Sequence, residues 1–287
     1  MKKIVITGAK GQLGRQFSKD FLSSSYEVYS LGKNEMNVVN YEEVCSVLEE
    51  LSPSIIIHCA AYTKVDLAEI NKDEVFFVNA TGTRNIAIAA EKIKAKLIYI
   101  STDYVFNGRK GTEYNEFDPP SPINVYGASK YVGENFVQEF HTRYFIIRTS
   151  WLYGKYGKNF VETMLNLAKV NRSIRIVNDQ YGSPTYAKDL VNCVRRLMGT
   201  DLYGIYHVSN EGVCSRYEFA KKIFSLANID IQVIPVSADE FKTMASRPTY
   251  SALQHTMLQL HDICYMRSWE EALKDYIEKT TDSVREY

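Results

Sequence analysis

The amino-acid sequence predicts a Rossmann-type α/β fold, a doubly wound parallel sheet with a smaller, interwoven C-terminal substrate lobe. Short runs of apolar, often β-branched residues alternate with segments of helical periodicity. These runs are continuously apolar, which is typical of parallel strands buried on both faces. A glycine-rich turn also separates the first predicted strand from the first predicted helix. Right-handed crossovers between such strands place helices on both faces of the sheet.

The first 150 residues hold the regular alternation. We predict strands over 3–7, 27–31, 54–59, 96–101 and 143–149, and helices over 13–22, 41–51, 73–93 and 126–140. Asn40 is suited to cap the second of these helices. Gly82 interrupts the third helical pattern.

Beyond Trp151 the alternation is less regular. We predict helices over 159–170, 189–198 and 217–227 and strands over 173–177, 204–208 and 231–236, with 204–208 joining the main sheet. Residues 1–150 are interpreted as a dinucleotide-binding domain, to which segments near 173–208 return. Residues 151–287 are interpreted mainly as the substrate-binding lobe, and a cleft is expected between the two.

Composition excludes several classes of protein. The 287 residues are 45% apolar and 24% charged with a formal net charge of zero, and no basic stripe indicates nucleic acid. The longest apolar runs are about five residues, against the roughly 20 that span a bilayer. The first apolar stretch is also too short for a secretory signal. The five cysteines are scattered without a CxxC pair, and the histidines lack ligand spacing, so we expect a cytoplasmic protein without a metal site.

The turn Gly8-Ala9-Lys10-Gly11-Gln12-Leu13-Gly14 follows a strand and opens a helix. Its glycines permit a tight turn and let a pyrophosphate approach the backbone, while the helix N-terminus supplies N–H groups. The residues that we expect to bind a dinucleotide are Gly8, Gly11, Gln12, Leu13 and Gly14. The structural alternative is a turn that only packs the helix on the strand.

The end of the second strand bears on which dinucleotide binds. An acidic residue there would hydrogen-bond the ribose diol of NAD, but the sequence reads Ser30-Leu31-Gly32-Lys33, with no carboxylate until Glu35. Lys33 is placed to neutralise a 2′-phosphate instead. NADPH is therefore the expected cofactor and NADH stays possible, with a solvated loop charge as the alternative for Lys33.

Tyr126 and Lys130 are four residues apart in a predicted helix and so share one face. The ammonium favours the phenolate, so a phenol with a free pKa of about 10 becomes a proton donor near neutrality. A YxxxK pair alone is common. Here Ser101-Thr102-Asp103-Tyr104 ends the fourth strand and offers a hydroxyl to a substrate carbonyl, although such a segment also suits a helix cap.

The third strand ends at Cys59-Ala60-Ala61-Tyr62. The small residues of this segment either leave room for a nicotinamide ribose or simply pack closely.

These motifs together resemble the extended short-chain dehydrogenase/reductase family. Residues 59–66, 101–106, 122–127, 148–154 and 179–185 narrow the resemblance to the dTDP-4-dehydrorhamnose reductases within it. The likeness covers residues 3–190 and, more weakly, the chain up to residue 253. It implies NAD(P)H-dependent reduction of the C4 keto group of a nucleotide-linked deoxysugar, for polysaccharide biosynthesis.

Carried over position by position, the resemblance implies a catalytic trio of Thr102, Tyr126 and Lys130. The implied cofactor contacts, besides the glycine turn and Lys33, are Asn37, Cys59, Ala60, Ala61, Tyr62, Ser101, Tyr126 and Lys130. The implied substrate contacts are Thr102, Asp103, Tyr104, Trp151 and Arg247. Arg247 is a candidate for the nucleotide diphosphate, because a guanidinium binds phosphate bidentately; a surface or interlobe ion pair is the alternative.

Three departures from the family pattern qualify this resemblance. Asn37 stands where the family often has an aspartate near the adenine, and Tyr250 replaces the asparagine of an Arg-Pro-x-Asn-Ser-x-Leu segment. Arg15 lies where some members carry a carboxylate for a magnesium-dependent dimer, so we expect no metal and either a monomer or a homodimer. Two rival functions stay open: a reductase or epimerase of another nucleotide-linked keto sugar, and a non-catalytic, NADP-binding regulatory subunit of methionine adenosyltransferase.

Overall fold

The computed structural model describes residues 1–22 and 26–285, with side chains up to residue 280. Its strands are β1 (Lys2–Thr7), β2 (Tyr26–Leu31), β3 (Ile55–His58), β4 (Lys96–Thr102), β5 (Tyr144–Thr149), β6 (Leu152–Tyr153), β7 (Ser173–Val177), β8 (Tyr181–Gly182), β9 (Thr185–Tyr186), β10 (Gly204–His207), β11 (Cys214–Ser215) and β12 (Gln232–Val236). Its α-helices are α1 (Gln12–Phe21), α2 (Tyr41–Leu51), α3 (Val65–Ala68), α4 (Lys72–Phe76), α5 (Gly82–Lys92), α6 (Val125–Phe140), α7 (Phe160–Ala168), α8 (Ala187–Leu197), α9 (Arg216–Leu226), α10 (Thr256–Leu260) and α11 (Trp269–Arg285).

Six of these strands form a parallel sheet in the order β10-β5-β4-β3-β1-β2. The chain passes from β1 to β2 in one direction, and β3 then pairs with the other side of β1. The carboxyl ends of β1 and β3 therefore border a topological switch point, which is where open α/β sheets bind ligands. Thr7 lies opposite His58 in the register, so the loops that follow these two residues leave the sheet side by side.

Apolar side chains cover both faces of this sheet. Ile4 and Ile6 belong to a core with residues of α1 and α8, whereas Val5 between them belongs to a core with residues of α2 and α5. This period of two along a strand buried on both sides explains why the strands read as continuous apolar runs. The predicted fold class, a doubly wound parallel sheet with helices on both faces, is confirmed.

The smaller lobe has a core of its own, to which α7, α9 and α11 contribute. Its strands β7 and β12 pair in parallel, apart from the large sheet. The segments predicted to return near 173–208 therefore divide: β7 stays in the smaller lobe, α8 packs on the large sheet, and β10 extends that sheet beside β5. In the described ranges, no helix combines the length and apolar character that crossing a bilayer requires.

The predicted helices and strands begin and end within two residues of the observed ones. One predicted helix is divided into three segments. The pattern over 73–93 is divided into α4, a π-helical turn at Phe77–Thr81 and α5, which begins at the predicted interruption, Gly82. The sequence analysis did not predict α11, whose residues Trp269, Leu273 and Tyr276 are buried in the smaller lobe.

Candidate active site

A cleft of about 1230 Å³ opens at the carboxyl ends of β1, β3 and β4. This volume exceeds the roughly 300–1,000 Å³ of ordinary small-molecule pockets and suits a dinucleotide together with a second ligand. Tyr104 and Arg247 are not in its lining. The predicted site residues that line it are Gly8, Gly11, Gln12, Leu13, Gly14, Lys33, Asn37, Cys59, Ala60, Ala61, Tyr62, Ser101, Thr102, Asp103, Tyr126, Lys130 and Trp151.

The glycine turn is shaped by close backbone approaches. Gly8 has φ +64°, and a Cβ there would lie 2.6 Å from the backbone nitrogen of Ala60. A Cβ at Gly14 would lie 2.8 Å from the Cα of Ala9. The two glycines therefore let the turn, the start of α1 and the loop after β3 meet at the switch point.

The start of α1 offers hydrogen-bond donors to the cleft. The first intrahelical bond joins the Arg15 N–H to the Gly11 carbonyl at 3.0 Å, so the N–H groups before Arg15 have no partner within the helix. Among the described residues, the buried Nε2 of Gln12 has no hydrogen-bond partner. The first turn of α1 also carries no acidic side chain. These donors fit the pyrophosphate of a dinucleotide.

One end of the cleft lies beside the loop after β2, where the sequence predicted the adenosine to bind. Glu35, the first carboxylate after that strand, accepts hydrogen bonds from the Gly32 N–H at 2.9 Å and from Lys10 Nζ at 3.1 Å. Lys33 is exposed and lines the cleft. A lysine at the rim, with Glu35 held by Gly32 and Lys10, fits a 2′-phosphate better than a ribose diol.

Asn79 holds the loop after β3 in place. Its Oδ1 accepts the Tyr62 N–H at 2.7 Å, and its Nδ2 donates to the Tyr62 carbonyl at 3.1 Å and to Ser129 Oγ at 2.9 Å. Asn79 is fully buried in the π-helical turn. One amide thus joins the loop after β3 to helix α6, which carries the YxxxK pair.

The start of α6 fixes the position of Tyr126. The Oδ1 of Asn124 caps the helix by accepting the Gly127 N–H at 2.7 Å, and its Nδ2 donates to the Ser246 carbonyl in the smaller lobe at 2.8 Å. A Cβ at Gly127 would overlap the carbonyl oxygen of Tyr104. Tyr126 therefore stands where α6, the loop after β4 and the smaller lobe meet.

Burial dominates the titration of the YxxxK pair. Lys130 is 2% exposed, and its Nζ lies 4.1 Å from the centroid of the Tyr99 ring. Burial lowers the pKa of Lys130 to about 7, against the opposing charge of Glu134. Burial raises the pKa of Tyr126, so the lowering by Lys130 that the sequence predicted is wrong for this structure. Desolvation disfavours the phenolate, which keeps the phenol in the protonated form that a general acid needs.

Thr102 begins a chain of buried hydrogen bonds that leads away from Tyr126. Burial raises the pKa of Tyr126, and the nearby Thr102 hydroxyl opposes this rise. Thr102 Oγ1 donates to Asp103 Oδ1 at 3.0 Å, and Ser251 Oγ donates to Asp103 Oδ2 at 2.6 Å. Burial raises the pKa of Asp103 to about 6. The chain connects the predicted catalytic hydroxyl to the segment that follows Tyr250 in the smaller lobe.

Glu134 and Arg148 form a buried ion pair beneath the site, which the sequence analysis missed. Glu134 lies one helical turn after Lys130, and its Oε2 accepts from Arg148 Nη2 at 2.7 Å. Ser101 Oγ donates to Glu134 Oε1 at 2.5 Å. The only sequence signal was the four-residue spacing between Lys130 and Glu134. The pair joins α6 to the ends of β4 and β5.

Arg247 forms an interlobe ion pair, which is the alternative that the sequence left open. Its Nη2 donates to Asp66 Oδ2 at 2.7 Å and its Nη1 to Asp66 Oδ1 at 3.1 Å. Asp66 also accepts the Ala245 N–H at 3.2 Å, and the guanidinium holds the pKa of Asp66 below its usual value. The ion pair joins α3 of the large domain to the loop before Arg247.

Trp151 lies at the border between the cleft and the smaller lobe. It has φ +45°, a left-handed conformation that is unusual for a large side chain. The guanidinium carbon of Arg216 lies 3.5 Å from the centroid of the Trp151 ring. Arg216 is a residue that the sequence analysis missed, because 65 positions separate it from its stacking partner and no local pattern marks it.

The fold and the cleft together define a class of protein. A glycine turn at the switch point faces a tyrosine–lysine pair and a threonine hydroxyl across one cleft, as in the pyridine-nucleotide oxidoreductases of the short-chain dehydrogenase/reductase type. Among the described residues, no group of three or more histidine, cysteine, aspartate or glutamate side chains could hold a metal ion.

Comparison with known proteins gives the family within this class. Residues 1–282 match the family model described as the RmlD substrate binding domain. The spore coat polysaccharide biosynthesis protein SpsK of Bacillus subtilis is 40% identical, with 99% of each chain covered. The dTDP-4-dehydrorhamnose reductase of Aggregatibacter actinomycetemcomitans is 38% identical over 96% of this chain and 98% of that one. The chain therefore belongs to the RmlD family, to which the predicted resemblance pointed.

Solved structures agree with this assignment. A crystal structure of dTDP-4-dehydrorhamnose reductase from Bacillus anthracis in complex with NADP has a TM-score of 0.96 and 53% identity, and covers 97% of this chain and 100% of its own. A UDP-glucose 4-epimerase from Thermus thermophilus has a TM-score of 0.79 at 19% identity, a likeness that concerns the fold alone.

Proposed function

We propose that the protein catalyses the NADPH-dependent reduction of the C4 keto group of a nucleotide-linked deoxysugar, converting dTDP-4-dehydro-L-rhamnose to dTDP-L-rhamnose. The observation that carries this proposal is that Thr102, Tyr126 and Lys130 line the same cleft as the glycine turn. Relatives named for this reaction match nearly the whole chain. The proposal therefore rests on both the site and the family.

The reduction adds a hydride and a proton to the carbonyl. When bound, NADPH would supply the hydride. In our proposal Tyr126 donates its phenolic proton to the carbonyl oxygen, and the Thr102 hydroxyl hydrogen-bonds to that oxygen. The ammonium of Lys130 stabilises the phenolate that remains and contacts the nicotinamide ribose. The proton on Tyr126 is then restored from solvent.

NADPH is the cofactor that the cleft fits, although NADH stays a possible substitute. The residues that would hold the pyrophosphate are those of the glycine turn and the start of α1, which line the cleft. The small residues Ala60 and Ala61 would lie beside the nicotinamide, and Asn37 beside the adenine. Lys33 would contact the 2′-phosphate, and the B. anthracis reductase is a relative solved with NADP.

Other keto sugars are the first alternative. A relative from Streptomyces antibioticus, 35% identical over 94% of this chain, is named a probable dTDP-4,6-dihydroxy-2-methyloxan-3-one 4-ketoreductase. The sugar ring thus varies among relatives while the nucleotide and the C4 position recur in their names. The intact Thr102, Tyr126 and Lys130 argue against a non-catalytic regulatory subunit.

The direct experiment follows the oxidation of NADPH and NADH by the purified protein, with a panel of nucleotide-linked 4-keto sugars. We expect dTDP-4-dehydro-L-rhamnose to give the highest kcat/KM, with NADPH preferred. An epimerase would convert the sugar without net consumption of NADPH. Copurification with a methionine adenosyltransferase, together with no reductase activity on any sugar, would contradict the proposal.

We further propose that the enzyme acts in the cytoplasm as a monomer or homodimer and supplies a surface or spore polysaccharide. The SpsK relative, named for spore coat polysaccharide biosynthesis, supports the proposed role in polysaccharide synthesis. Size-exclusion chromatography with light scattering would separate the monomer from the homodimer. Deletion of the gene should remove rhamnose from the polysaccharide fraction, and unchanged rhamnose content would contradict that role.

A further inference from the structure

Two guanidinium groups, those of Arg216 and Arg247, lie near Tyr104, and their charges oppose the rise in the pKa of Tyr104 that burial causes. The Arg247 group is paired with both carboxylate oxygens of Asp66. The Arg216 group has no such partner: within the described residues, no carboxylate forms an ion pair with it. The nearby Asp103 uses its two oxygens to accept hydrogen bonds from Thr102 and Ser251. Of the two cations, Arg216 is therefore the one without an ion-pair partner among the described residues.

A largely buried cation without a counter-charge is costly to the folded protein. Burial lowers the pKa of Arg216, which shows that its surroundings disfavour the charged form. Tyr104 and Asp103 partly offset this effect of burial, but no carboxylate in the described part of the chain forms an ion pair with Arg216. An arrangement of this kind suits a protein that receives an anion from its ligand.

The position of Arg216 is fixed on two sides. Its guanidinium stacks on Trp151 at 3.5 Å from the ring centroid, and its backbone N–H donates to the Gln180 carbonyl at 3.1 Å. Trp151 holds its left-handed backbone with its indole against Gly182, where a Cβ would lie 2.6 Å from the ring. Strain of this kind persists at binding sites where the position of a side chain matters. Trp151 itself lines the cleft, so the stack holds the guanidinium next to a cleft residue.

The position of Arg216 relative to Tyr126 also fits a nucleotide-linked substrate. The ring of Tyr104 packs edge-on against that of Tyr126, with centroids 6.0 Å apart. Burial raises the pKa of Tyr104, and the nearby Arg216 guanidinium opposes this rise. In a nucleotide-linked 4-keto sugar, the carbon that carries the diphosphate lies across the pyranose ring from C4. An anion site one aromatic ring away from Tyr126 therefore matches the span of such a substrate.

We propose that Arg216 binds the diphosphate of the nucleotide-linked substrate, with Trp151 holding its guanidinium in place. This assignment rests on the proposed function and gives Arg216 the contact that the sequence suggested for Arg247. A guanidinium binds phosphate oxygens through two parallel N–H groups, which the stacked geometry orients in advance.

The test measures the binding of dTDP and of NADP⁺ to the purified protein by calorimetry, together with steady-state reduction of the keto sugar. Arg216→Met should weaken dTDP binding about 10- to 100-fold and raise the KM for the sugar by a similar factor. The dissociation constant of NADP⁺ should stay unchanged. Arg216→Lys keeps the charge without the planar fork and should recover part of the dTDP affinity.

Arg172→Met is the matched control, since it removes an exposed guanidinium from the same lobe, and it should leave every constant unchanged. Wild-type affinity for dTDP in Arg216→Met would overturn the assignment and leave the proposed function standing. A fall in kcat with unchanged dTDP binding would also overturn it, because Arg216 would then act only by supporting Trp151. Failure of the wild-type protein to bind dTDP would contradict the proposed function itself.

Discussion

The ion pair between Glu134 and Arg148 permits a quantitative prediction of what this pair contributes to the free energy of unfolding. The two side chains are 0% and 2% exposed. Arg148 donates to Glu134 through Nη2 at 2.7 Å and Nε at 3.0 Å, and Ser101 donates to the same carboxylate at 2.5 Å. Glu134→Gln keeps the shape of the side chain but leaves the guanidinium buried without its counter-charge. Breaking a buried pair in this way costs about 3–5 kcal/mol.

The assay is equilibrium unfolding in urea, compared with an exposed pair in the same protein. Glu240 pairs with Arg175, and their side chains are 51% and 54% exposed. Glu240→Gln should therefore cost no more than about 1 kcal/mol. Equal losses for the two variants would refute the reasoning, as would a loss below about 1 kcal/mol for Glu134→Gln. The double variant Glu134→Leu/Arg148→Met should recover stability relative to Glu134→Gln, because no uncompensated charge remains.

Two further predictions concern the cofactor and the pH dependence. Lys33→Met should raise the KM for NADPH about fivefold and leave the KM for NADH unchanged, because an exposed charge pair contributes about 1 kcal/mol. Equal changes in the KM for both cofactors would contradict the assignment of Lys33 to the 2′-phosphate. Burial raises the pKa of Asp103 from 3.8 to about 6, so the folded state holds this proton more tightly than the unfolded state. The contribution of protonated Asp103 to the free energy of unfolding is full below about pH 4, and it is lost as the pH rises through about 6. Asp103→Asn should remove this fall in the free energy of unfolding, and an unchanged slope between these pH values would contradict it.

The sequence predicted the large domain well because its signals are local. A buried parallel strand such as β3 is a continuous apolar run, and the cap of α2 is visible as Asn40 before the helical pattern. Asn40 Oδ1 indeed accepts the Glu43 N–H at 3.2 Å. The YxxxK spacing likewise placed Tyr126 and Lys130 on one helix face without any knowledge of the tertiary structure.

The remaining features depend on contacts between distant parts of the chain. The pKa of Tyr126 is set by burial, which cannot be read from the spacing to Lys130. The partner of Arg247 is Asp66, 181 positions away, and the stack of Arg216 on Trp151 joins two residues that are distant in the sequence. The π-helical turn around Asn79 is another example, since the helical pattern continues through it.

The most direct test of the account is the effect of Tyr126→Phe on turnover and on cofactor binding, measured on the same preparation. If the phenolic hydroxyl of Tyr126 protonates the reduced carbonyl, kcat should fall about 10²- to 10⁴-fold. The dissociation constant of NADPH should stay close to the wild-type value, because the phenyl ring still fills the same space. Wild-type turnover in Tyr126→Phe would contradict the account.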